Sequence, residues 1–224
     1  MTVPPRTRFI AAATSLAGLL VFAPANSQQN AAPTASPAAI AAPSPTKVAE
    51  TSAALRDLWL GHVFWVRNVV LETLSGNKAA AKAAEDQVVA NAKQIAGSIE
   101  PFYGKAGTDK LLNLLVGHYG AVKQYLEATA ASDQAKQSAA VKALNANADE
   151  IAVFLSGANP NLPRDAVRSL FVAHGAHHMQ QIQQLKAKRY AQEAQTWDAM
   201  KKHMDVIADT LAGAIAKQFP AKFS

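Results

Sequence analysis

Imidazole side chains recur along this 224-residue chain with a regular step, and a set of neutral nitrogen donors is what a transition-metal site needs. His62, His118 and His174 are equally spaced, and each follows a leucine by four positions: Leu58, Leu114 and Leu170. A second polar series, Asn91, Asn147 and His203, keeps the same step, each member following its histidine at one constant offset. The pattern predicts a threefold internal repeat with one polar position per helix. All six lie on apolar stripes, where an imidazole or amide left without a partner costs about 1–3 kcal/mol. Something must therefore satisfy them: one another, water, a metal ion or a small ligand.

The third unit is the richest. His174 and His178 are spaced i, i+4 and His177 lies at i+3, so two of these rings can face one point, the helical spacing used in metal chelation. Met200, His203 and Met204 lie across the expected hairpin, and Met179 adjoins His178. Imidazole with thioether suits copper, and imidazole alone suits zinc or nickel, although the methionines read first as ordinary core filling. The candidate metal ligands are His174, His178 and His203 first, then His62 and His118. Asn91, Asn147 and Trp65 are candidate ligand-binding residues, Trp65 through stacking on a bound ring. Asp149 and Asp205 follow the polar positions by two residues, about 200° round a helix, and are expected to face solvent. Gly61, Gly117 and Ala173 immediately precede the three odd-helix histidines; a recurring mid-helix glycine, costing about 1 kcal/mol against alanine, points to a close approach of backbones.

These positions need helices to hold them. After Thr51 apolar residues recur at intervals of three and four. Leu55, Leu58, Trp65, Val66 and Val69 make a first stripe, stopped by Ser75-Gly76-Asn77; Val88, Ile95, Ile99 and Phe102 make a second, ended around Pro101 to Gly104. Thr108 and Asp109 are expected to cap a third helix, and Ala131-Ser132-Asp133 turns into a fourth. Pro163 opens a fifth, and a sixth ends at Pro220. Between the last two, Lys186 to Tyr190 holds no glycine or proline; local propensity permits one long helix there, whereas the 56-residue step requires a turn at Ala187–Arg189.

The antiparallel geometry of hairpins then places the six polar residues at one height. His62 and Asn91 are symmetric about the first turn, His118 and Asn147 about the second, and His174 and His203 about the third. An all-α, six-helix up-and-down bundle of three hairpins follows, with the polar layer near mid-height. An open solenoid is the alternative, in which equivalent histidines stay a repeat apart and share no ion.

Composition bounds the rest. Cysteine is absent, so neither disulfides nor thiolate ligands enter. Arg6 and Arg8, an apolar run from Phe9 to Ala23 and the small residues of Ala23-Pro24-Ala25-Asn26-Ser27 have the layout of a secretory signal peptide (1–27), cleaved after Ala25 or Ser27. Residues 28–50, mainly alanine, proline and serine, read as a disordered linker, and 51–224 as the bundle domain. The run is too short to span a bilayer, so no membrane span is expected in the mature chain, which is read as exported, periplasmic or secreted. The two arginines are part of a total of 22 basic side chains, leaving 20 against 16 acidic ones, a net charge of +4. These charges are scattered singly, which gives no support to nucleic-acid binding. Inward Glu and Glu-x-x-His motifs of carboxylate-bridged di-iron bundles are missing, as are a Ser-His-Asp set and a phosphate loop, so an enzyme is less favoured than a binding protein. The leading reading is an exported bundle binding copper, zinc or a small ligand through its His/Asn layer. The alternative is a cell-envelope interaction protein whose layer is structural.

The motifs L-W-x-x-H-x-x-W-x-R-N at Leu58–Asn68, N-A-D-E-I-A-x-F-L-S-x-A-N-P-N at Asn147–Asn161 and K-Q-F-P-A-K-F at Lys217–Phe223 resemble those of a group of small bacterial helical proteins. The resemblance spans Leu55 to Phe223. It implies the same helical repeat fold and no particular activity. In that group the residue before each histidine is often acidic; Gly61, Gly117 and Ala173 stand there in this chain, so the resemblance implies no carboxylate-assisted role.

Overall fold

A computed structural model describes residues 42–224. The expected signal peptide (1–27) and most of the expected linker (28–50) lie outside these residues. Six helices follow one another: α1 (Pro45–Ser75), α2 (Lys78–Gly97), α3 (Glu100–Ala130), α4 (Gln134–Ala158), α5 (Arg164–Lys186) and α6 (Tyr190–Gln218), with a short 3₁₀ turn over Pro220–Lys222. No strand occurs among the described residues. Each helix packs on the next and α6 packs back on α1, which closes the ring; α5 also touches α1 and α3 across the centre. The arrangement is a closed bundle and not an open solenoid.

Two expected boundaries are corrected. Composition predicts a linker reaching Glu50, yet α1 begins at Pro45. Proline suits a first helical turn, the Ser44 amide donates to the Phe223 carbonyl at 2.7 Å, and Val48 packs with Phe102, Phe219 and Phe223. These contacts with the C-terminal end anchor a turn that composition alone leaves unordered. The second correction concerns α3, which starts at Glu100 with Pro101 in its first turn and kinks at Gly104, where φ is +67°. Only glycine accepts that conformation readily. Thr108 consequently lies inside the helix, its hydroxyl donating to the Gly104 carbonyl at 3.2 Å, and caps nothing.

Asn77 and Asp133 cap α2 and α4, accepting from the amides of Ala80 at 3.2 Å and Lys136 at 3.0 Å. The turn between α5 and α6 is present. Gly76, Ser132 and Lys188 all take the left-handed conformation, with φ of +81°, +59° and +58°. These three turn residues are equally spaced, with the same step as the histidines. Lys188 turns without glycine because the amides of Lys188 and Arg189 bond back to the Leu185 and Gln184 carbonyls at 3.0 and 2.8 Å. Its side chain still has the Cβ crowding that glycine avoids. Lys188→Gly is therefore expected to raise stability by roughly 1 kcal/mol, seen as a higher urea midpoint; a lower midpoint refutes the strain.

Beside the small cluster around Phe223, the core falls into two large ones. Trp59, Val63, Leu114, Leu115, Phe171, Met200 and Met204 belong to one buried apolar cluster, and Val66, Val69, Tyr119, Val122 and Ile182 to another. His62, His118 and His174 fall in sequence between members of the two clusters, so the histidines mark the boundary where one apolar half gives way to the other. Met200 and Met204 are wholly within the first cluster, as core filling predicts. The N-P-N element of the 147–161 motif has a fold role: buried Asn159 donates to the Tyr103 hydroxyl at 2.9 Å and accepts from the Asn161 amide at 2.8 Å, tying the α4–α5 loop to α3.

Candidate metal centre

Three inner helices each bring an imidazole to mid-height: α1 His62, α3 His118 and α5 His174, with His178 one turn further along α5. Their nitrogens, one from each ring, all lie within 4.8 Å of one another. Ring centroids are 5.5 Å apart for His62 and His174, 5.2 Å for His118 and His174, and 4.5 Å for His174 and His178. No ring is more than 5% exposed, and His174 is fully enclosed. Metal–imidazole bonds of about 2.0–2.1 Å give a tetrahedral N···N edge of roughly 3.4 Å. The group contains no carboxylate, so its donors are uniformly neutral.

Hydrogen bonding leaves part of this donor set idle. His62 Nε2, His118 Nε2 and His174 Nδ1 are buried with no partner. His178 and His174 face each other through their Nε2 atoms at 3.1 Å, where one must donate and the other accept. His118 Nδ1 meets the Asn147 side-chain oxygen at 3.2 Å. Burial pushes every ring towards its neutral form: His62 down to about 3 with the His118 charge adding to it, and His118 down to about 4 against a small opposing effect of Asn147. His174 and His178 are held well below the ordinary histidine range by burial and then by the neighbouring rings. At neutral pH all four therefore present lone pairs and no charge, the state a metal ligand requires.

The other candidates occupy different places. His203 is not with the four. It is half-buried on α6, its Nε2 donates to the Leu170 carbonyl at 2.8 Å, and its ring neighbours that of His177 at 5.5 Å. Asn91 and Asn147 make the matching bonds, their amide nitrogens donating to the Leu58 and Leu114 carbonyls at 3.0 Å each. The three residues of the even helices thus each bind the backbone four residues before a layer histidine, and a backbone carbonyl one turn away competes with the centre for their donors. The recurring glycines follow from this contact. A Cβ on Gly61 would stand 3.1 Å from the Asn91 amide nitrogen, and one on Gly117 3.3 Å from that of Asn147; the close approach is of side-chain amide to backbone.

Trp65 does not reach the histidines; it packs on Phe64 with centroids 5.0 Å apart and lines a surface groove with Asn91 and Trp197. Trp59 is the aromatic at the centre, buried, with its ring edge-on to His62 at 6.1 Å and His174 at 6.4 Å. It lies three residues before His62 on the same face, a signal that spacing carried. Asp149 and Asp205 face outward as expected, paired with Arg168 at 2.5 Å and Arg56 at 3.8 Å.

One polar feature is marked by no spacing. Glu193, in the first turn of α6 and 2% exposed, accepts from Nε and Nη2 of Arg67 at 2.7 Å each and takes a third bond from Gln181 at 3.0 Å. Burial pushes its carboxyl up, but the hydrogen bonds and charge of Arg67, with Gln181, outweigh that and hold it below the usual range. Arg67 also lies 5.5 Å over the Trp197 ring. The set ties α1 to α5 and α6 beyond the histidines.

Fold and site together define a closed all-α bundle with a buried centre of four neutral imidazoles that could hold a metal ion. No family model matches the chain, and neither a curated protein nor a solved structure matches it, so the motif resemblance brings no activity with it. No described helix is long and apolar enough to cross a membrane.

Proposed function

We propose that this chain is an exported, non-catalytic metal-binding bundle in which His62, His118, His174 and His178 hold one transition-metal ion, copper or zinc. The observation that carries the reading is the cluster itself: four imidazoles from three helices, neutral, enclosed, and with buried nitrogens that no protein group satisfies. Chance core histidines are expected to find hydrogen-bond partners, because an unsatisfied buried polar atom costs about 1–3 kcal/mol. A bound ion would satisfy several at once. Imidazole donors suit both metals, with copper bound the more tightly in the usual affinity order. Export is supported by the order of basic, apolar and small residues from Arg6 to Ser27.

A structural reading is favoured for one part of the layer. Asn91, Asn147 and His203 each have a backbone carbonyl as partner, which sets the height of one helix against the next without any ligand. The envelope-scaffold alternative extends that role to all six residues.

Calorimetric titration of the folded chain with Cu(II) and Zn(II) separates the two. One ion per chain is expected for the wild type, with the heat lost in His174→Ala and in the better volume match His178→Gln, both checked for helical content. Equal heats from all three proteins, or none from the wild type, would overturn metal binding at this centre.

A further inference from the structure

The proposed centre has a supporting shell that the ligand set alone does not reveal. Asn147 makes two bonds on opposite sides of its amide. Its Nδ2 donates to the Leu114 carbonyl at 3.0 Å, and its Oδ1 meets His118 Nδ1 at 3.2 Å. The first bond orients the second, because a carbonyl can only accept and so the nitrogen end of the amide must point at Leu114. The oxygen end is then left for the imidazole. An amide oxygen has no proton to give, so the proton in that bond sits on His118 Nδ1. A neutral imidazole carries a single N–H, which leaves the lone pair on Nε2, the buried atom with no partner.

Asn91 repeats the anchored half of this arrangement one unit earlier. Its Nδ2 donates to the Leu58 carbonyl at 3.0 Å, and its Oδ1 is buried and unpartnered. It stands to His62 in the sequence as Asn147 stands to His118. His203 repeats the anchored half one unit later with a different side chain: Nε2–H donates to Leu170 at 2.8 Å, and the same single-proton rule leaves Nδ1 an acceptor, as the amide oxygens are. A histidine at that position thus reproduces the donor and acceptor polarity of the asparagine.

We infer that Asn147 is a positioning residue of the metal centre: anchored on a helix carbonyl, it holds His118 as the Nδ1–H tautomer and aims the free Nε2 at the ion. This rests on the metal-binding reading for its purpose but not for its geometry. Groups that hydrogen-bond the far nitrogen of a ligating histidine fix its tautomer and ring orientation, and their loss costs about 10–100-fold in affinity. Here the group is a neutral amide and not a carboxylate, so it orients the ring without adding charge. Gly117 makes room for it, since a Cβ there would stand 3.3 Å from the Asn147 amide nitrogen.

The test has one arm that needs no metal. Long-range ¹H–¹⁵N correlation of the metal-free full chain at pH 7.5 is expected to show His118 protonated on Nδ1. A wild-type His118 protonated on Nε2 would overturn the inference even if the chain binds metal. In Asn147→Leu, His118 is expected to move to the Nε2–H tautomer, and Zn(II) affinity, measured by chelator competition, to fall about 10–100-fold. Asn147→His is the rescue, because the chain already uses histidine at the equivalent position 203; it is expected to restore the Nδ1–H signal and affinity to within a few-fold. Loss of affinity in both variants with an unchanged His118 tautomer would reduce Asn147 to a purely structural role and overturn the inference. Should wild type bind no Zn(II) while its His118 keeps the Nδ1–H signal, the positioning geometry stands and the metal reading fails, so the two failures are told apart.

Discussion

Lowering the pH from 7.5 to 5 is expected to remove most of the stability of the metal-free protein. The four central imidazoles are neutral when folded, with His62 held down at about 3, His118 at about 4, and His174 and His178 well below the ordinary range by burial. In the unfolded chain each titrates near 6.5. Above that pH both states are neutral and the rings contribute no pH dependence. Below it the unfolded chain takes up protons that the folded chain refuses, so stability falls as pH falls, by about 1.4 kcal/mol per pH unit per imidazole once well below 6.5. At pH 5 the loss is about 2 kcal/mol for each ring and about 8 kcal/mol for four. Domains of this size are typically stable by about 5–15 kcal/mol. Urea unfolding at pH 7.5, 6 and 5 reads this directly. The expected acid midpoint lies between pH 6 and 4, and His62→Gln should make the slope shallower by about one proton. A midpoint in urea that stays constant from pH 7.5 to 5 would show that the rings are not buried together. Saturating metal should displace the acid transition to lower pH, because an ion bound only by the folded state adds to its stability.

Arg67→Met is expected to cost about 3–5 kcal/mol, more than any substitution of an exposed charge. Glu193 is 2% exposed and receives two of its three hydrogen bonds from Arg67. Removing the guanidinium leaves a buried carboxylate with Gln181 alone, and breaking a buried pair from one side carries a penalty of that order. The paired state is a different matter, since the desolvation of Glu193 offsets much of what the pair contributes. Arg67→Met combined with Glu193→Leu should therefore recover most of the loss. Thermal melts of the single and double variants decide it. A single variant within about 1 kcal/mol of wild type, the range of a surface pair, or a double variant no better than the single, would mean that the pair is effectively solvated. The consequence reaches the histidine cluster, because this pair ties α6 to α1 where the ring of helices that encloses it closes.

Much of the architecture was legible in the residues. The three-and-four spacing of Leu55, Leu58, Val66 and their counterparts determined helices, and the breaks at Ser75-Gly76-Asn77 and Ala131-Ser132-Asp133 marked where they turn. The constant step between histidines overruled propensity at Lys188, where no glycine or proline marks the turn. The equal height of the polar residues came from hairpin symmetry alone, since antiparallel helices with one rise per residue must bring symmetric positions level.

What spacing could not decide was the direction each side chain takes once level. Sequence reasoning puts His62, His118, His174, His178 and His203 in one ligand set, and it is the tertiary structure that keeps four of them together and turns His203 to the Leu170 carbonyl. It likewise places Trp59, not Trp65, against the rings, and it pairs Arg67 with Glu193 from opposite ends of the domain. Periodicity records the face of a helix, a local property of one segment. Which face meets which neighbour, and which buried nitrogen finds a carbonyl instead of another ring, depends on how six helices close on themselves, and that is a property of the whole packed chain.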